Sequence, residues 1–542
     1  MNLSKVFVGI CVSAIVGCAG TAPSGDVTPA KPPERLGKVH FATTCDQAVA
    51  EDFDRAVALL HSFWFSAAIR EFDAVAARDP QCAMAHWGIA MSWWGNPFGS
   101  FRSPVAIENG TAAVQAAKAA NAKSARERDY IAAVELLYKN ADTLDQRSRT
   151  LAYERAMKVL ADRYTDDSEA RIFYALSLDQ NHLPSDKSYS KLIAAAEILE
   201  SEFELQPDHP GIAHYIIHSY DVPMLAPRAV DAAHRYAHIA PDAPHALHMP
   251  SHTFTRIGSW QESIDTNIAS AAAARKDNAA SEELHALDYQ VYAYLQTGQD
   301  AAARAVLEQV PSIADRIESS TAGNAAPSPA GYFASAAIPA RYALERNIWP
   351  EAAALPVRQT RFDWVDSITH FARALGAARS GDVAAAKQEV ATLGVLRNRL
   401  EAAGNEYWGG QVAIQEKGAA AWIAFAENRK DEAIALMREA VAMEDATEKS
   451  AISPGPLKPA REMLGEMLLE YDMPAAALAE FEMTMAKEPN RFRAVYGAAV
   501  AAQQTGDMAK AKLYFGDLLS ICAHADQGAR AELAEARESV GD

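Results

Sequence analysis

The chain repeats itself at a fixed interval, and that period limits its fold more than any other feature. Ala477 recurs as Ala511, and Phe481 recurs at the same offset as Phe515. AAIREFDAVAARDPQCAMAHWG (67–88) can be laid on ALAEFEMTMAKEPNRFRAVYG (477–497) with Ala68 on Ala477. Phe72 then meets Phe481, Asp79-Pro80 meets Glu488-Pro489, and Trp87-Gly88 meets Tyr496-Gly497. Small residues let two antiparallel helices approach closely, and the proline starts the next unit. Turns at Gly258, Gly298, Gly381 and Gly506 separate helical segments. Units this short cannot bury an apolar face alone and must stack on neighbours.

This pattern resembles the tetratricopeptide repeat, whose unit is about 34 residues long. The resemblance implies an all-α fold: an α-solenoid of helical hairpins wound into a right-handed superhelix. Breaks at 96–104, 319–331 and 453–459 interrupt the frame, so we expect two consecutive arrays, 40–318 and 330–542. The second ends in a polar capping helix.

The same period carries the histidines. PDHPGIAHYIIHSY (207–220) precedes PDAPHALHMPSHTF (241–254) by one unit, which sets His214 on His248 and His218 on His252. Each unit presents a pair at i,i+4, on one helix face. Eight of the fifteen histidines lie between 209 and 252, so chance placement is a poor account. In the tetratricopeptide family the matching positions line the concave groove. The next unit is longer, running from Gly258 to Gly298, and that offset carries His245 to His285, His248 to Asp288 and His252 to Tyr292.

A metal site is therefore expected from His214, His218, His248, His252 and Asp288. Asp221 would orient a histidine, and His245, His285, Tyr292 and Arg256 would surround the site in the groove. Imidazole with an optional carboxylate suits Zn, Cu, Fe or Ni, and no nearby thiol points to a thiolate site. The alternative is that the histidines only hydrogen-bond a peptide or one another. Pro250 lacks a donor inside the second helix and threatens its geometry. His61, at the end of a helix in the first repeat, is the other histidine expected near the groove.

Residues 1–17 read as a signal sequence: Lys5, an apolar run Val6–Val16, then Gly17. Ile15-Val16-Gly17-Cys18 resembles the lipobox of bacterial lipoproteins, which implies lipidation at Cys18 and, with Ala19 next, an outer-membrane lipoprotein facing the periplasm. Residues 18–39 read as a flexible tether. An oxidising envelope permits a disulfide, and Cys45 with Cys82, flanking the first repeat, is the expected pair. The net charge of −19 and the lack of a basic stripe argue against a nucleic-acid partner.

DPQCAMAHWGIAMS, HMPSHTFTRIGSW and PGPLKPAREMLGEMLLE together resemble a group of exported bacterial tetratricopeptide proteins, across nearly all of the mature chain. A histidine often follows the Glu448-Lys449 equivalent in that group; here Ser450 stands there. The function expected is a lipid-anchored envelope module that binds a protein or peptide in its groove, with a metal held by the histidines. The alternatives are a metal-dependent hydrolase or oxidoreductase and a metal capture or delivery protein.

Overall fold

The computed structural model describes residues 34–99, 102–317, 325–528 and 530–541. The signal sequence and Cys18 lie outside them. The described residues contain helices and no strand, and Arg35–Asp542 forms one compact unit. Among the described residues no helix is long and apolar enough to cross a membrane.

The chain is an α-solenoid of tetratricopeptide-like hairpins in which each helix packs chiefly on its neighbours in sequence. The repeated residues explain the close packing. Ala68, Ala477 and Ala511 are buried, as are Phe72, Phe481 and Phe515. A Cβ on Gly88 would lie 2.3 Å from the Phe72 ring, and one on Gly497 would lie 2.4 Å from Phe481. The aromatic of one helix thus lies against a bare glycine backbone on the next. Burying each ring contributes roughly 1.5–3 kcal/mol.

Stacking passes directly from the helix Ala280–Gln296 to the helix Ser328–Glu345. The later repeats also fold back onto the earlier ones. The Arg491 guanidinium donates to Glu462 (2.6 Å) and to the Tyr292 hydroxyl (2.9 Å), and Arg530 pairs with Asp300 at 2.6 Å. Between them the segment 448–456 lies across the first helices of the histidine units. Tyr289 donates to the Ala451 and Ser453 carbonyls (3.0 and 3.1 Å), and Arg341 donates to that of Pro456 (3.0 Å). At the height of the histidines the chain's own backbone therefore occupies this face.

The end of the segment read as a tether is docked: the Lys38 amide donates to the Asp208 carbonyl at 2.9 Å, and Leu36 is buried. Just beyond it, Cys45 forms a disulfide with Cys82 at the start of the helix Ala83–Trp94. Cys522 is free and buried.

Candidate metal centre

Three stretches of helix bring the histidines together. The first, Pro210–Ser219, begins with proline at its first position and is capped by His209, whose Nδ1 accepts from the Ile212 amide. In the second unit Pro250 splits the helix into Pro244–His248 and Pro250–Arg256. The break does not separate the pair, since the Nε2 atoms of His248 and His252 lie 3.1 Å apart. The third is Ala280–Gln296, which places His285 against His248 with ring centroids 4.4 Å apart.

The rings form two triads. In one, His214 Nε2 lies 3.2 Å from His218 Nε2 and 3.1 Å from His245 Nε2. The other comprises His248, His252 and His285; in each triad one ring nitrogen per residue lies within 4.8 Å of the other two. An ion bonded at about 2.0–2.1 Å holds two nitrogens roughly 2.9 Å apart at a right angle and roughly 3.3 Å apart at the tetrahedral angle. The His214–His218, His214–His245 and His248–His252 separations fall inside that interval.

The hydrogen bonds on the far side of each ring assign the protons. His252 Nδ1 donates to the Asp221 carboxylate at 2.9 Å, so its Nε2 carries a lone pair. His248 Nδ1 faces Asn267 Oδ1 at 2.7 Å, and the Asn267 amide nitrogen donates to the Ser263 carbonyl, which fixes the oxygen as acceptor. His248 Nε2 therefore also carries a lone pair. Two buried acceptors face each other at 3.1 Å with no proton between them. His285 bonds to the backbone of Ile452, and its Nδ1 is buried without a partner. In the first triad His214 Nδ1 donates to the His61 carbonyl at 2.7 Å, which again leaves Nε2 as an acceptor.

Burial keeps these rings neutral. It pushes His214 and His285 down to about 3 and holds His218, His245 and His248 well below the ordinary imidazole range. Burial also lowers His252, against the pull of Asp221. Burial opposes ionisation of Asp221, but Lys449 (3.2 Å) and Arg256 (2.8 Å) hold its carboxylate well below the usual range. Phe63 packs 4.3 Å from the His214 ring, and Phe98 lies 4.1 Å from His218. The walls are dry.

Beyond Lys449 an open pocket encloses about 730 Å³ of empty space, part of it continuous with solvent. Trp364 and Trp408, stacked at 4.2 Å, line it together with Tyr407, Gln411, Arg256 and Glu448.

The structure alters the expected ligand set. His245 and His285 belong to the triads rather than to their surroundings, and two three-nitrogen groups replace one site of four histidines and an aspartate. Asp288 is no ligand: it pairs with Arg341 at 2.8 Å. Tyr292 lies away from the rings, held by Arg491 and by Glu488 at 3.2 Å. The cause is register. His285 stands against His248 and Tyr289 against His252, so only part of the long unit's extra length precedes His285 and the rest follows Tyr289. Asp221 accepts from His252, and Arg256, expected only around the site, pairs with Asp221. Asn267 and Tyr289 went unread, although Tyr289 stands one helical turn from His285 as His252 does from His248.

A third cluster shows what a satisfied set looks like. Glu169 receives His61 Nε2 and His209 Nε2, each at 3.0 Å. The remaining nitrogens accept from Tyr215 (2.9 Å) and the Ile212 amide (3.3 Å), so every group has a partner. His61 is thus structural, and its carbonyl sets the His214 tautomer.

No protein-family model matches the chain, and no curated protein matches it in sequence. Among solved structures it is similar to a human IFIT1 dimer with m7Gppp-AAAA, at 10% identity and a TM-score of 0.36, covering 82% of this chain and 90% of that one. A monomeric IFIT1 mutant with the same RNA is similar at 10% identity and a TM-score of 0.36, covering 88% and 96%.

Proposed function

We propose that the protein is a metal-binding α-solenoid of the cell envelope whose buried histidine triads hold transition-metal ions. One observation carries the reading: His248 Nε2 and His252 Nε2 are both acceptors, 3.1 Å apart, with their other nitrogens already committed as donors. An unpaired buried acceptor costs about 1–3 kcal/mol, and a cation between the two removes that cost. Neutral imidazole sets suit Zn, Cu, Ni or Fe. Metal analysis of the purified protein tests this. Wild type should retain metal through desalting, and His248→Ala/His252→Ala should retain less. Equal content in a folded variant, or no retention by wild type after metal loading, overturns the assignment.

A second reading, action on a small ligand beside the centre, draws on the pocket lined by Trp364 and Trp408 and floored by Arg256, Glu448 and Lys449. Lys449 links that floor to Asp221, and Asp221 to His252. This is where we place a substrate or a peptide side chain. A ligand that binds there should shift the spectrum of cobalt loaded into the centre; binding with no shift would separate the two.

Lipid attachment at Cys18 and an outer-membrane location are part of the proposal. They are supported by Val6–Val16 and Gly17-Cys18 and by a disulfide suited to an oxidising compartment. Mass spectrometry of the mature amino terminus should find acylated Cys18, and an unmodified terminus elsewhere would refute it.

A further inference from the structure

Resting on the metal-binding reading, we propose that the two triads form one binuclear centre, in which a pair of like divalent ions shares a bridging hydroxide. The spacing of the rings points to a pair. His218 and His252, from different triads, have ring centroids 5.9 Å apart, and so do His245 and His248. Those separations are shorter than the widest ones inside the triads, 6.5 Å for His218–His245 and 6.4 Å for His252–His285. The six imidazoles are therefore one continuous cluster, and the proposal seats an ion in each half at the roughly 3.5–4 Å spacing of two-metal sites.

Charge points to the bridge. All six ligands are neutral, and the nearest carboxylate, Asp221, already faces Arg256 and Lys449. Glu448 meets Lys187 at 2.5 Å through one oxygen, and its other oxygen lies 3.8 Å from Arg256. Two dications in a buried site without an anion would carry a severe burial penalty. A hydroxide between them, formed from water that releases its proton to solvent, places negative charge where both ions feel it. The repeat supplies the geometry, because successive units set the same i,i+4 pair side by side.

Cupric ion is the probe. Full-length protein loaded with copper(II) and desalted should hold two ions per chain, and its electron paramagnetic resonance signal should account for only a small part of that copper, because the bridge couples the two spins. His285→Ala should hold one ion per chain with a signal accounting for all of it. His245→Ala should do the same from the other side, so one unfolded variant does not decide the matter. Two ions that are fully visible in wild type would refute the bridged pair and leave metal binding intact. A single ion would refute the pair, and no retained copper would remove both readings.

Discussion

Replacing Asn267 with leucine tests the proton assignment without touching a proposed ligand. Asn267 Oδ1 accepts from His248 Nδ1 at 2.7 Å, and its amide nitrogen donates to the Ser263 carbonyl at 2.6 Å. Leucine fills similar space and offers neither group. If the imidazole kept its tautomer, a buried N–H would be stranded at a cost of about 1–3 kcal/mol. It has an escape: with the proton on Nε2, it can donate to His252 Nε2, 3.1 Å away. That hydrogen bond recovers about 0.5–1.5 kcal/mol and occupies the lone pair the ion requires. Loss of such an outer partner lowers metal affinity about 10–100-fold, or about 1.4–2.7 kcal/mol. Competition titration against a chromophoric chelator at neutral pH, with melting of the metal-free protein alongside, measures both effects. Asn267→Asp keeps the acceptor and should bind at least as tightly as wild type. If folded Asn267→Leu binds metal with wild-type affinity, the tautomer argument is wrong.

Three further outcomes follow from the same geometry. His214 and His285 sit at about 3 in the folded chain against 6.5 for a free imidazole, so the unfolded chain takes up protons first as pH falls. Stability of the metal-free protein is then complete above about pH 6.5 and lost towards pH 3, by about 2 kcal/mol for each ring at pH 5; urea melts that do not change between pH 7 and 5 would contradict this. Glu169→Gln leaves two buried imidazole N–H groups competing for one acceptor, so it should cost about 2–4 kcal/mol while metal content stays at the wild-type value; lost metal would mean the third cluster binds an ion. Cys45→Ser opens a loop with a sequence separation of 37. It should lower stability by about 2–4 kcal/mol without changing metal stoichiometry, and an unchanged melting temperature would count against the staple.

The repeat made the fold legible because packing imposes it locally. Ala477 and Phe481 recur at a fixed offset since each ring must be buried against the next helix, as Phe481 is on Gly497 and Phe72 on Gly88. The paired histidines were legible for the same reason. The third contributor lies nearly one helical turn from its expected place, because the glycine-to-glycine offset also counts extra residues that come after Tyr289. That turn separates His285 from Asp288, which faces Arg341 instead. The closure of segment 448–456 over the histidines was not readable either. It depends on contacts between positions far apart in the chain, such as Tyr289 to Ala451, which no repeat period encodes. Asn267 lies on the second helix of its unit, and nothing in its sequence context marks it as the acceptor for His248.

X-ray absorption on zinc- or copper-loaded protein tests the central claim most directly. The account requires a shell of imidazole nitrogens at about 2.0–2.1 Å, with outer-ring scattering from three histidines per ion, and in His248→Ala/His252→Ala the same shell around only the ion held by His214, His218 and His245. A first shell made mainly of oxygen, or an undiminished metal content in that variant, would contradict it.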